Sequence, residues 1–404
     1  MEEVSRVMIE GILSGLKVVD LTQNVAGPFC TQILADLGAE VIKIERPEGG
    51  DDTRAWSPPR IVDQSPTFLA LNRSKASVCI DFNSPEGCQV LADLAAGADI
   101  LVHSLKPGSA ESRGLGFESL HALNPSLIYC SISAFGGVGP LSKLPGYDPL
   151  MQAFTGIMST TGNDGDDPVR VGVSLIDMGT GVWAALGVLA ALIQRGKTGK
   201  GAKVEASLLE TGVGWMTVFV ANYLASGKLP IKQGSAMAMT APYELFRTAD
   251  GQVFIAAGND RLFSRVCEGL GAPQLSQDPR FATNPDRVVN RPELRSELEA
   301  LTSSWSSGEV VKRLRAAGAP CSEMNSVAEM VDHEQVQAMD LVRPLPTPGA
   351  PGHRAVALPF TIDGDRGATF RPAPGLGADT ARILGGLGYS QDKCTALRES
   401  GAIN

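Results

Sequence analysis

One carboxylate stands apart by its surroundings. Asp177 is the single acid in the stretch VRVGVSLIDMGTGVWAALGVLAALIQRG (169–196). It sits between an apolar, strand-like run and a helical segment rich in small residues. Burying an isolated carboxylate in such a place is costly unless it bonds to backbone N–H groups or does chemistry. Gly179, Thr180 and Gly181 leave room for a ligand and for neighbouring backbone to approach. A helix starting here would stabilise the anion with its dipole. Two readings of Asp177 follow: a group that does chemistry on a ligand, or an ordinary acid capping a helix.

Other chemistries find less support. There is no GxSxG elbow, and no cysteine has a histidine close in sequence, so serine or cysteine hydrolysis has no positive signal. The seven cysteines (30, 79, 88, 130, 267, 321 and 394) are odd in number and form no CxxC pair. They read as scattered thiols of a reducing cytoplasm, not as a disulfide or zinc framework. The four histidines (103, 121, 333 and 353) show no metal-binding spacing, so no metal is expected. GKTGKG (196–201) lacks the first glycine of a phosphate-binding loop, because position 191 is alanine; it reads as a polar, helix-terminating turn. FGGVGP (135–140) lacks the GxGxxG spacing and reads as a loop.

The elements that must position Asp177 follow a regular rhythm. LKVVDLT (16–22), EVIKIE (40–45), SVCIDF (77–82), DILVHS (99–104) and SLIYCSIS (126–133) read as short apolar strands. Between them lie helical stretches such as 26–39 and 84–98, the latter with Ser84 as N-cap and Pro85 at the first helical position. This alternation specifies an α/β fold with a large, doubly wound parallel sheet of Rossmann-like type. Residues 206–235 read as a linker, and 236–340 as a smaller α+β domain. Residues 341–404, rich in Pro and Gly at first, read as a return strap and the C-terminal part of the large domain, whose N-terminal part is 1–205.

Whole-chain properties bound the function. With 404 residues and a formal net charge of −9, the chain is a poor nucleic-acid binder, which would need many cations against phosphates. The N-terminus carries acids and no long apolar run, so it does not read as a signal peptide. The longest apolar run, Val182 to Ile193, is shorter than the roughly 20 residues that cross a bilayer. A soluble cytoplasmic protein with no membrane association is expected.

The chain resembles the class III CoA-transferases, the formyl-CoA transferase and carnitine CoA-transferase type, a family that also contains the 2-methylacyl-CoA racemases. The resemblance rests on GLKVVDLTQNVAGPFCTQILADLGAEVIKIERPEGGDDTR (15–54), LNRSKASVCIDFNSPEG (71–87), KPGSAESRGLGF (106–117), GYDPLMQAFTGIMSTTG (146–162), SLIDMGTG (174–181) and RGKTGKG (195–201), in this order. It implies that Asp177 is a nucleophile, carrying anhydride and aspartyl-CoA thioester intermediates, with no cofactor beyond the CoA substrate. It implies CoA contacts at Val25, Ala26, Arg46 and Ile80. Ser104 and Leu105 stand where relatives carry Asn-Phe or Asn-Tyr, and Arg113 lies beside a family arginine near the phosphates. Gln23, Tyr147 and Asp148 match residues of the acyl and acceptor side. The family also implies an interlaced, ring-like homodimer.

Two departures narrow the subtype. The racemases pair the acid with histidine in a Gly-His-Asp motif, where this chain has Gly146-Tyr147-Asp148, and tyrosine is a poor proton shuttle near neutral pH. The glycine run that covers the nucleophile in formyl-CoA transferases is replaced by AMAMTAPYELF (236–246). GDDTRAWSPP (50–59), NDGDDPVRVGV (163–173) and APYELF (241–246) look like the succinyl-CoA-dependent transferases of dicarboxylic acids such as glutarate, itaconate or citramalate. A dicarboxylate needs a cation for its distal carboxylate, and Arg54 and Arg170 are the candidates. The alternatives are a 2-methylacyl-CoA racemase and a non-catalytic acyl-CoA-binding protein.

Overall fold

A computed structural model describes residues 8–367 and 370–404, so the first seven residues of the acidic N-terminal stretch lie outside the described residues. The chain forms two compact units. One comprises Met1–Thr155, Val171–Val220 and Gln337–Asn404, the other Gly156–Arg170 and Ala221–Val336.

The first unit is built on six parallel strands: β1 (Lys17–Leu21), β2 (Glu40–Glu45), β3 (Ala76–Cys79), β4 (Ile100–His103), β5 (Ile128–Ser133) and β6 (Ala202–Ser207). Their order is β3-β2-β1-β4-β5-β6, the doubly wound arrangement whose switch point falls between β1 and β4. Five of these strands match apolar runs in the sequence. The sixth, AKVEAS, alternates charged and apolar residues and escaped that reading. The helices of this unit are α1 (Ala26–Asp36), α2 (Pro66–Asn72), α3 (Pro85–Ala96), α4 (Phe117–Leu123), α5 (Asp148–Phe154), then, beyond the short α6 (Ile157–Thr160) of the other unit, α7 (Leu175–Thr198) and α8 (Leu208–Trp215). Helix α9 (Thr217–Ser226) follows, so residues read as a linker are largely helical. The Ser84 hydroxyl caps α3 by accepting the Gly87 N–H at 3.0 Å.

Helix α7 is long and apolar enough, by composition alone, to cross a membrane. Here it packs against α1 and the sheet. Gly181, Ala184, Ala185, Val188 and Ala191 recur on one buried face, as a 3.6-residue period requires. The small residues permit the approach: a Cβ on Gly181 would lie 2.6 Å from the Ala26 carbonyl oxygen. The run before α7 is not a strand; residues 169–173 form a largely exposed loop. GKTGKG ends α7, with Gly199 at φ +69°, where a side chain would be strained.

Below the sheet's carboxyl edge lies a buried set of charges. Burial alone would raise the Asp20 carboxyl, but Lys75, Lys43 and the hydroxyls of Thr22 and Thr31 hold it below its ordinary range. Lys43 bonds the Thr22 carbonyl (3.0 Å) and Asp51 (2.8 Å), tying the loops after β1 and β2 together. Glu45 takes both a 2.7 Å bond from Arg54 Nε and another from Arg54 Nη2, and the guanidinium lies 3.7 Å over the Phe68 ring. The C-terminal strap protects edge strand β3: the Ser77 N–H donates to Asp379 and the Cys79 N–H to Thr380.

The second unit carries an antiparallel sheet of β7 (Tyr243–Arg247), β8 (Gln252–Ala256) and β9 (Cys321–Glu323), in that order. Its core joins Phe246, Val253 and Ile255 to helical Phe263, Leu298 and Leu314.

Arg54 is thereby a structural residue, because its fork is fully engaged by a carboxylate that is 1% exposed. Removing one partner of a buried ion pair leaves the other charge unpaired. Arg54→Ala is expected to lower unfolding stability by about 3 kcal/mol in denaturant titrations. Unchanged stability with a raised KM for the acceptor acid would contradict this assignment.

Candidate active site

Asp177 lies in the first turn of α7. The helix start is fixed from a distance, since Ser174 makes no side-chain cap. Asp148, 2% exposed, accepts the N–H groups of Ile176 (2.7 Å) and Asp177 (3.2 Å). Gln152 donates to Asp148 at 2.6 Å and accepts the Val171 N–H at 2.8 Å, clamping the chain that enters the helix. Asp148 therefore does the capping, and Asp177 does not. Among the described residues the Asp177 carboxylate accepts no hydrogen bond. Burial, with the Asp148 charge adding to it, pushes Asp177 from 3.8 up to about 7. A raised carboxyl at a cavity marks a group poised for chemistry.

That cavity has a volume of about 400 Å³ and opens at the carboxyl ends of the parallel strands, around the switch point. The structure brings Gln23, Val25, Ala26, Ser104, Leu105, Tyr147 and Asp177 together in its wall. The Gln23 N–H donates to the Ser104 hydroxyl at 3.3 Å, joining the loops after β1 and β4.

The remaining expected residues fall elsewhere. Arg46 binds the Gly50 carbonyl and Asp52, and Asp52 is the residue at the wall. Arg113 donates to the Phe82 carbonyl (3.0 Å), Ser109 (2.6 Å) and Asn83 (2.7 Å), so it buttresses the rim behind Phe82 and Ser109. Ile80 is fully buried and bridged to Ile403; the apolar surface at the end of β3 is presented by Phe82 instead. Asp148 faces the helix start and not the cavity. Arg54 pairs with Glu45, and Arg170 is an exposed residue of the other unit. AMAMTAPYELF also belongs to that unit. The glycines of FGGVGP lie outside the wall, which takes Ser133 and Ala134 before them and Gly146 after them.

Sequence reasoning missed Phe82, Lys106, Lys143 and Leu208. Phe82, Lys106 and Leu208 each follow a strand end by one to three residues, a positional signal that parallel sheets supply. Lys143 lies deep in a long loop and carries no such signal. His103 was also passed over. Its Nδ1 accepts the Leu105 N–H at 3.3 Å, shaping the loop after β4, and burial lowers it to about 4, so it is neutral. Among the described residues no three His, Cys, Asp or Glu side chains group as a metal site.

Residues 13–380 match the model of CoA-transferase family III. The chain belongs to that family. It is 38% identical over 397 residues to a mouse (Mus musculus) succinyl-CoA:glutarate CoA-transferase, covering 97% of this chain and 90% of the relative. It is 37% identical over 381 residues to an Agrobacterium fabrum succinate–glutarate CoA-transferase, covering 93% and 95%. A crystal structure of a CAIB/BAIF family protein from Brucella suis superimposes with TM-score 0.84 at 38% identity, covering 93% of this chain and 99% of that one. The protein is a CoA-transferase of this family, and its fold is the family's α/β fold.

The raised Asp177 carboxyl of this CoA-transferase has a stability consequence. Its folded value, about 7, exceeds the ordinary 3.8, so the folded state holds the extra proton between those values. Stability then falls as pH rises through that window and is level above it. Asp177→Asn is expected to be more stable than the parent by a margin that grows from pH 4 to 7 and levels at a few kcal/mol, on the order of 2–4. Urea titrations across that pH range check it. A margin independent of pH would contradict the raised value.

Proposed function

We propose that the protein moves CoA from succinyl-CoA to a free dicarboxylic acid such as glutarate, with Asp177 as covalent nucleophile. The carrying observation is a half-buried carboxyl, raised toward neutrality, that lines the cavity and accepts no hydrogen bond among the described residues. The activities named for the mouse and Agrobacterium relatives support the substrate pair.

The carboxylate of Asp177 attacks the thioester carbonyl. The C–S bond breaks, CoA leaves as thiolate, and an acyl–aspartyl anhydride forms. The thiolate then attacks the Asp177 carbonyl carbon and expels the donor acid, leaving an aspartyl-CoA thioester. The acceptor carboxylate attacks that thioester, and the two steps run in reverse. No proton, electron or phosphate is consumed overall, so no cofactor beyond the CoA substrate is required. Covalent catalysis divides one difficult exchange into easier steps. A carboxylate of raised basicity is the stronger nucleophile, and a value near 7 keeps much of it ionised at neutral pH.

Developing oxyanions need donors. The first-turn amides of α7 are already spent: Leu175 on Val173, Ile176 and Asp177 on Asp148, Met178 on Ser174. Ala26 and Gly27, at the start of α1, line the cavity, and their N–H groups have no acceptor among the described residues. They are the better donors. Racemisation would need a second base; no histidine is among the described residues of the cavity wall, and Tyr147 stands in its place.

The same reading makes the protein a cytoplasmic homodimer. Its cysteines are free and mostly buried, which suits a reducing compartment. The outer faces of α7 and α8 expose Trp183, Leu186, Ile193, Val213 and Trp215, with the two tryptophan rings 6.0 Å apart. Contiguous apolar surface of this kind is the signature of a covered interface. Sedimentation is expected to give twice the 42.4 kDa chain mass, and a monomer would contradict it.

Incubation with succinyl-CoA and glutarate, without ATP, is expected to yield glutaryl-CoA and succinate in equal amounts by mass spectrometry. Asp177→Ala is expected to abolish both. Failure to exchange with glutarate, itaconate, citramalate, oxalate or acetate would sink the transferase reading for these substrates, and deuterium uptake into a 2-methylacyl-CoA would favour racemisation.

A further inference from the structure

Two lysines, Lys106 and Lys143, are the only cationic residues in the cavity wall among the described residues. Arg46, Arg54 and Arg113 are all engaged with Asp52, Glu45 and Asn83 respectively. Neither lysine takes part in an ion pair among the described residues, and both are exposed. An unpaired ammonium at a cavity is available to an anionic group of a ligand.

The two lysines follow neighbouring strands on the same side of the switch point, and each stands on its own loop. Asp52 and Phe82 follow β2 and β3 at one side of the switch point, and Lys106 follows β4 beside Ser109. Lys143 follows β5, on the side toward β6. Its loop runs through Gly146 and Tyr147 into Asp148, whose carboxylate touches the Asp177 N–H. The reacting acyl carbon must sit on Asp177, so the Lys143 loop borders the acyl end. The rest of that wall is apolar there, with Leu144, Pro145, Ala134 and Leu208, and such a wall accommodates a short methylene chain.

Resting on the proposed transfer between succinyl-CoA and a dicarboxylate, we infer that Lys143 selects acyl groups with a distal carboxylate. Succinyl-CoA and a dicarboxylic acceptor occupy the acyl end in turn, each with one carboxyl at Asp177 and one remote from it. A single cation therefore serves both halves of the exchange. Lys106, in the loop after β4 with Ser104 and Leu105, is left for the CoA phosphates.

The test compares charged substrates with neutral counterparts of the same length: succinyl-CoA against its methyl ester, and glutarate against monomethyl glutarate. In Lys143→Gln, kcat/KM for succinyl-CoA and for glutarate is expected to fall about tenfold or more, the loss of one charge-assisted hydrogen bond. Rates with the two methyl esters, and inhibition by free CoA, are expected to stay at parental values. In Lys106→Gln, the KM of every CoA thioester and the inhibition constant of free CoA are expected to rise together, whatever the acyl group. Equal losses for charged and neutral acyl groups in Lys143→Gln would assign Lys143 to CoA, and unchanged rates would remove it from the site; either overturns the inference while leaving the transferase reading intact. Absence of succinyl-CoA exchange in the parent protein would overturn both. A urea midpoint equal to the parent's shows that the exposed substitution has not altered folding.

Discussion

The Asp148 carboxylate, folded under the first turn of α7, is the interaction on which the site depends. It accepts the N–H groups of Ile176 and Asp177 and so fixes where the helix begins. A helix start leaves backbone donors unsatisfied, and Ser174 at the N-cap makes no side-chain bond to them. Supplying the cap from α5 has two effects on Asp177. Its backbone is held, and its own carboxylate is released from any capping duty. The nearby negative charge then adds to burial in raising its basicity. One contact thereby holds the backbone of the proposed nucleophile and adds to the basicity of its carboxyl.

The rest of the first unit keeps that geometry stationary. Gly181 and Ala26 let α7 and α1 touch almost backbone to backbone, and Asp177 shares one cavity wall with Ala26 and Gly27 at the start of α1. Beneath, Lys43, Asp51, Asp20 and Lys75 pin the loops after β1 and β2. Burying so many charges is weak evidence for stability, because desolvation offsets much of the attraction. What the network provides here is placement: the loops after β1 and β2 are tied to each other by specific bonds.

Much of this was legible in the residues. Apolar runs of strand length alternating with small-residue helices specify a parallel sheet, and five strands lie where those runs lie. Strand β6 was not legible, because AKVEAS is half exposed and does not look like a buried central strand. Asp177 was visible because an acid alone in an apolar stretch demands a reason. The roles of the arginines were not visible. Nothing in the spacing of Arg54 and Glu45 says that they meet, since their bidentate contact is created by the turn between β2 and α2. The resemblance placed Asp148 with Tyr147 on the substrate side, yet successive residues at a helix start point in different directions, and only Tyr147 reaches the cavity. Lys143 was missed for the opposite reason: a long loop without periodicity gives no clue to which side chain reaches the wall.

The central claim is that Asp177 becomes covalently acylated in each turnover, and carboxyl oxygen carries the record of it. When the acceptor forms the anhydride and CoA reclaims its acyl group, one acceptor oxygen stays on Asp177. Turnover with succinyl-CoA and glutarate carrying heavy oxygen in both carboxyls, followed by digestion and mass spectrometry, reads that transfer directly. The account predicts heavy oxygen in the peptide containing Asp177, and then in the succinate released by later turnovers. Glutaryl-CoA formed with no label in that peptide or in succinate would contradict it.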